Sequence, residues 1–141
     1  MEIKQLKDID AETIAVFARL IKQLNPACPA PDEAFLKQVV DDRNTCVFVA
    51  CQPAIVGTLT LVVVSTPSGS KAWIEDVVVD ESTRKQGVGE KLVAHAVDFC
   101  RDLNVSSVNL TSTPARIEAN KLYRRQGFVL RETNVYRLSL S

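Results

Sequence analysis

The 141-residue chain has one histidine, four cysteines without a Cys-x-x-Cys pair, and equal numbers of acidic and basic residues. A single histidine and scattered cysteines do not make a metal-ligand pattern, so no metal site is predicted, and His95 is expected on the solvent side of its helix. The 17 Lys plus Arg balance the 17 Asp plus Glu, so no net charge attracts nucleic acid or an anionic membrane. Nucleic acid and membrane are therefore excluded as predicted partners.

Long hydrophobic segments are also missing. The longest mostly apolar run, Leu59 to Val64, is far shorter than the roughly 20 residues that a membrane-spanning helix needs. The residues after Met1 lack the charged-then-apolar pattern of a secretory signal, so a cytoplasmic location is expected and a disulfide framework is not. The length predicts a single domain over residues 1–141.

The spacing of apolar residues predicts an alternation of strands and helices. The predicted strands are 1–6, 46–51, 55–64, 72–79, 107–111, 128–132 and 135–140, and the predicted helices are 10–24, 32–41, 87–103 and 116–126. Strands 46–51 and 55–64 are joined by Gln52-Pro53 as an antiparallel hairpin. Hairpin strands in the first half argue against a doubly wound nucleotide-binding domain, which is built from regular strand–helix repeats.

The most informative segment follows the predicted strand 72–79. The sequence Arg-Lys-Gln-Gly-Val-Gly over 84–89 leads from a polar turn into the predicted helix 87–103. A helix start carries backbone N–H groups without intrahelical partners and a partial positive charge, so this one is a candidate diphosphate site. The spacing excludes a P-loop and a dinucleotide-binding fingerprint, because no Lys-Ser/Thr pair follows and Leu92 occupies the third glycine position.

A second motif, Ala-x-x-x-Tyr-x-x-x-Gly-Phe, lies over residues 119–128. Gly127 suits the end of the predicted helix because glycine adopts the left-handed conformation at low cost. The two motifs occur in order, and over roughly residues 47–138 the chain resembles the GNAT superfamily of acetyl-CoA-dependent N-acetyltransferases. The resemblance implies an α/β (α+β mixed-sheet) fold with three layers, α/β/α, around a central, mostly antiparallel and splayed sheet.

The resemblance also implies how acetyl-CoA would be bound. The strand edge at Val77, Val78 and Val79 would pair with the pantetheine arm like an added strand. The diphosphate would be bound by the residues Arg84, Lys85, Gln86, Gly87, Val88, Gly89 and Glu90. Two positions depart from the family pattern: Lys85 stands where glycine is frequent, and Arg116 stands where many members have a cofactor-contacting asparagine. Asn120 is an alternative for that last contact.

The resemblance assigns Tyr123 as the general acid, and a tyrosine hydroxyl can protonate a departing thiolate. Glu75 is the preferred base, with Asp76 or a chain of waters as alternatives. Neighbours on a regular strand point to opposite faces, so only one carboxylate should face the acyl site unless a bulge intervenes.

The expected reaction is direct acetyl transfer from acetyl-CoA to the primary amine of an unidentified acceptor, which is a small amine, an amino sugar or a protein. A homodimer is left open. The alternative from another class is an inactive acyl-CoA-binding sensor or assembly module.

Overall fold

The computed structural model describes residues 1–141, which divide into two compact units, Met1–Leu110 and Thr111–Ser141. In chain order the elements are β1 Glu2–Gln5, α1 Ala11–Leu24, α2 Glu33–Asp41, β2 Thr45–Cys51, β3 Ile55–Thr66, β4 Gly69–Val79, a 3-10 turn Glu81–Thr83, α3 Val88–Arg101, β5 Val108–Asn109 and α4 Ile117–Arg125. The predicted helices and the first five predicted strands are confirmed in type. That residues 1–141 form a single domain stays a prediction.

The first unit is built on a five-stranded sheet in which the strands lie in chain order. Strands β1 to β4 are antiparallel neighbours, and β5 runs parallel to β4 after the connection through α3. The 12-residue strand β3 is rich in valine, leucine and threonine, and β2 carries valine and phenylalanine, residues that suit a pleated surface packed on both sides. The sheet is therefore mixed and mostly antiparallel, as the resemblance implied.

Helices α1 and α2 cover one face of this sheet. Val47 and Val49 of β2 point to this face and pack in one buried cluster with Phe17 of α1 and Leu36 of α2. Both helices begin at an aspartate whose side chain accepts from a backbone N–H, and Asp10 does so from Thr13 at 2.8 Å. Such caps satisfy a donor that the first helical turn leaves unpaired.

Helix α3 covers the opposite face, which completes three layers. The ring centroid of Phe48, the residue between Val47 and Val49, lies 4.9 Å from that of His95 and 5.3 Å from that of Phe99. Both ring contacts are edge-on. His95 is therefore half-buried against the core, and its predicted position on the solvent side was wrong. Although His95 lies beside the apolar face of α3 and not within it, its imidazole ring is large enough to reach the ring of Phe48.

The last two predicted strands are not formed. Residues 128–141 contain no strand, and their large apolar side chains are exposed: Val129, Leu130, Val135, Tyr136, Leu138 and Leu140. Apolar alternation makes a segment capable of forming a strand, but a strand also requires a hydrogen-bonding neighbour. None of the helices combines the length and the apolar character needed to cross a membrane.

We expect Gly57→Ala to lower the free energy of unfolding by about 1–3 kcal/mol, because β3 and α3 approach closely at this residue. An added Cβ would lie 3.2 Å from side-chain carbons of Leu92 and Val88 and 3.3 Å from the carbonyl oxygen of Val78. Urea unfolding measures the change. The control is Gly89→Ala, where the added Cβ makes an ordinary 3.6 Å contact with Val79 and should cost nothing. Equal stability of the two variants would contradict the close approach.

Candidate active site

Strand β4 carries a bulge near its carboxyl end. In the β3–β4 register, residues 60 and 58 pair with residues 75 and 78, so Asp76 and Val77 together lie opposite Leu59. Asp76 has φ of 50°, in the left-handed region that aspartate tolerates better than most side chains. The bulge brings Glu75 to the same sheet face as Val78, whereas a regular strand would put them on opposite faces.

This face is the one covered by α1. Val78 is buried in a cluster with Val16 and Leu20 of that helix. Glu75, three residues earlier, remains exposed. Partial burial of its carboxyl group, together with the negative charge of Asp76, raises the pKa of Glu75. A carboxylate with a raised pKa is a better proton acceptor near neutral pH than an ordinary one.

The edge of β4 that faces β5 is open toward its carboxyl end. Strand β5 pairs with β4 only at Ala72↔Val108 and Trp73↔Asn109. The Asn109 side chain also donates to the carbonyl oxygen of Ala72 at 3.2 Å. Beyond Trp73, through Val77–Val79, this edge has no neighbouring strand, so a peptide-like group could add to it.

The loop after β4 opens α3 in a conformation suited to anions. Residues 84–87 are exposed, and both Lys85 and Gly87 have left-handed φ angles, 67° and 77°. The first backbone bond of the helix runs from Lys91 N–H to the Gly87 carbonyl at 3.1 Å. The N–H groups of Val88 and Gly89 therefore have no intrahelical acceptor, as at any helix start. The left-handed φ of Lys85 is a physical reason why glycine suits that position.

Arg84 lies in the loop before α3 and contacts the end of the strand. Its Nε donates to the carbonyl oxygen of Val79 at 3.3 Å, which ties the loop back to the end of β4. The predicted strand segment and the predicted loop are therefore brought together. Gln86 is exposed in the loop and Glu90 lies in the first turn of α3.

Asp80 fixes the turn between strand and loop, although it was not among the predicted site residues. This carboxylate is buried and accepts from Arg19 Nε and Nη2 at 3.1 and 2.8 Å and from the backbone and hydroxyl of Ser82 at 3.1 Å each. The Ser82 backbone bond is the largest cause that lowers the pKa of Asp80, against the opposing effect of burial. Gln23 of α1 accepts from Glu81 N–H at 3.0 Å. An Asp-x-Ser turn pattern was the available signal.

The second unit contains Tyr123 on α4. The tyrosine is buried, its ring lies edge-on to Phe128 at 6.0 Å, and burial raises its pKa while the charge of Arg116 opposes that rise. A raised pKa keeps the phenol protonated, which a proton donor requires. Gly127 ends the helix with φ of 96°, as predicted.

Asn120 is engaged in holding the start of α4. Its amide nitrogen donates to the carbonyl oxygens of Thr113 at 2.9 Å and Arg116 at 2.7 Å. These two bonds use both amide hydrogens, since the group has no others. Contacts of Asn120 and Arg116 with a cofactor stay predictions.

Comparison with known proteins decides the family. Residues 12–128, most of the chain, match the sequence profile of the acetyltransferase (GNAT) family. The chain belongs to this family. It is an acetyltransferase by descent, and the predicted membership and fold class are confirmed.

Individual relatives agree with this membership. Glucosamine 6-phosphate N-acetyltransferase 1 of Oryza sativa subsp. japonica is 32% identical over an alignment of 133 residues that covers 84% of this chain and 75% of the relative. A crystal structure of an acetyltransferase from Trypanosoma brucei has a TM-score of 0.79 at 28% identity, covering 99% of each chain. An aminoglycoside acetyltransferase from an uncultured soil metagenomic sample has a TM-score of 0.85 at 24% identity, covering 99% of this chain and 95% of that one, and so shares the fold.

We expect Gly87→Glu to weaken coenzyme A binding about tenfold or more, because it puts a carboxylate at the helix start where the diphosphate is predicted to lie. Isothermal titration with coenzyme A measures the affinity. The matched control is Gly69→Glu in the β3–β4 turn, another glycine with positive φ and open space around its Cβ position. If both variants bind coenzyme A as the unchanged protein does, the loop is not the diphosphate site.

Proposed function

We propose that this acetyltransferase transfers the acetyl group of acetyl-CoA directly to a primary amine, without a covalent enzyme intermediate. The observation that carries the proposal is the open edge of β4, which is followed after one turn by the exposed loop that opens α3. Acetyl-CoA has a peptide-like pantetheine arm joined to a diphosphate, and these two adjoining features match its two parts.

In this proposal the chain binds acetyl-CoA through backbone more than through side chains. The edge at Val77–Val79 pairs with the amide groups of the pantetheine arm. The N–H groups of Val88 and Gly89 donate to the diphosphate, and the remaining loop residues, Arg84, Lys85, Gln86, Gly87 and Glu90, surround it. The fit is supported by the open space at Gly87, where an added Cβ would meet no atom within 4 Å.

In the proposed chemistry Glu75 and Tyr123 each carry out one proton transfer. Most amines are protonated at neutral pH, so Glu75 accepts a proton from the acceptor ammonium and frees the nitrogen lone pair. The nitrogen forms a bond to the thioester carbonyl carbon, the carbon–sulfur bond breaks, and the nitrogen loses its second proton to solvent. Tyr123 gives its hydroxyl proton to the departing thiolate and regains one from solvent. The products are the N-acetylated amine and coenzyme A, with one proton released.

An amino sugar is the acceptor class to test first. The rice relative is named for glucosamine 6-phosphate, and its similarity extends over 84% of this chain. Small amines and proteins with exposed lysines are the other acceptors to be tested. Release of free thiol from acetyl-CoA in the presence of each amine reports transfer, after isothermal titration has measured acetyl-CoA binding. Binding without thiol release for any amine would favour the sensor or assembly module instead.

Tyr123→Phe should lower kcat about a hundredfold, because it removes the proton donated to the thiolate. Affinity for acetyl-CoA should stay unchanged, since the ring and its packing remain. Tyr136→Phe is the matched control, as this second tyrosine is exposed. A variant Tyr123→Phe with full turnover would rule out the general-acid role.

The pH dependence of kcat/KM should reveal the base. The carboxylate form of Glu75 is the active one, so kcat/KM should fall as the pH drops through its raised pKa. Asp76→Asn removes the neighbouring negative charge, which should lower the pKa of Glu75 and shift this fall to lower pH. Asparagine also tolerates the left-handed φ.

Two further variants complete this test. Glu75→Gln should lower kcat/KM about a hundredfold at neutral pH. Asp98→Asn removes a negative charge from an exposed residue of α3 and should leave the pH dependence of kcat/KM unchanged. If kcat/KM depends on pH in the same way in Asp76→Asn and in the unchanged protein, the ionisation that limits catalysis is not that of Glu75 beside Asp76.

A further inference from the structure

Trp73 is the only tryptophan of the chain, and it lies two residues before Glu75 on β4. Trp73 pairs with Val62 and Glu75 pairs with Thr60, so the side chains of Trp73 and Glu75 point to the same face of the sheet. Two residues of extended strand separate them by about 7 Å. The indole and the proposed base are therefore neighbours on one surface.

Trp73 belongs to neither of the buried clusters that α1 and α2 form on this face. The clusters that α1 and α2 form on this face include Val47, Val49 and Val78, but neither Trp73 nor Val62. Both residues are half-buried, in contrast to the fully buried valines of β2. Trp73 also takes no part in the ring contacts of the structure, which involve Phe48 and Tyr123. Its ring is therefore a large, half-buried apolar group beside Glu75 that lies outside these clusters.

We propose that Trp73 determines acceptor specificity by packing against the acceptor, and that the acceptor is a primary amine borne on a six-membered sugar ring. This inference rests on the proposed function and deepens it. With the amine at Glu75, the ring that carries it extends along the strand to the indole, and the C–H face of the sugar packs on the indole face. Sites for small molecules commonly combine such an aromatic wall with a few polar groups.

Thr60 supplies a polar group next to the proposed base. It pairs with Glu75 across the strands and is half-buried on the same face, within reach of a hydroxyl that neighbours the amine. A rigid ring loses less conformational freedom on binding than an open chain with the same groups. The surface therefore favours glucosamine over its ring-opened alditol, which keeps the amine and the hydroxyls but has no ring.

Intrinsic fluorescence tests the contact in the unchanged protein, because all tryptophan emission comes from Trp73. Glucosamine and its alditol are titrated into the protein saturated with coenzyme A, which has no acetyl group to transfer. We expect glucosamine to change the emission saturably, and the alditol to do so only at about tenfold higher concentration. An emission unaffected by glucosamine would overturn the proposal.

Steady-state kinetics of thiol release test the same contact by substitution. Trp73→Leu should raise the KM for glucosamine about tenfold, leave the KM for acetyl-CoA unchanged, and remove the preference for glucosamine over the alditol. Trp73→Phe should restore part of the affinity. Phe99→Leu removes a half-buried aromatic ring on the opposite face and should leave both KM values unchanged.

The outcomes separate this inference from the proposed function. Thiol release with unchanged glucosamine KM in Trp73→Leu would refute the role of Trp73 and keep the transferase. Equal use of linear amines and glucosamine would refute the ring preference alone. Absence of acetyl-CoA binding in the unchanged protein would refute the proposed function, and this inference with it.

Discussion

The bulge in β4 is the constraint on which the rest of the candidate site depends. A bulge adds one residue to a strand, bends it and increases its twist. Here the added residue reverses the alternation of faces between Glu75 and Val78, so that a carboxylate and a core valine share the α1 side. The pairing of β4 with β5 stops at Trp73, just before the bulge, and the remaining edge is left open. One backbone irregularity thus relates a proposed base to a proposed binding edge.

The loop after the strand is held from outside the sheet. Arg19 and Gln23, one helical turn apart on α1, bond to Asp80 and Glu81 at the start of the turn. Arg84 then reaches back to the strand end. Each of these bonds restrains a different part of the turn. The backbone of the left-handed residues that follow, Lys85 and Gly87, is therefore held in a fixed place. Preorganised backbone donors bind an anion without a further ordering cost.

Much of this arrangement could be predicted from the sequence, because it depends on local patterns. An aspartate placed before a helical pattern of apolar residues predicts the start of α1 and of α2, and Gly127 predicts the end of α4. The bulge could not be predicted, since it arises from the register with β3 and no glycine marks it. The left-handed φ of Lys85 could not be predicted either, because lysine seldom adopts this conformation. The strands expected over 128–140 failed for a related reason: alternation describes a segment, whereas pairing requires a neighbour.

The short ladder between β4 and β5 has a consequence for how the sheet forms and opens. Strands β2, β3 and β4 are joined by short turns, whereas β1 reaches β2 only after α1 and α2, and β5 reaches β4 only after α3 and pairs with it at just two positions. Contacts between distant parts of a chain form late and carry a larger loop-closure cost. The β5 amides should therefore exchange with solvent deuterium well before those of β2 and β3. We therefore expect the most protected amides of the sheet beneath the helices, and early exchange in the strand that borders the proposed cosubstrate edge.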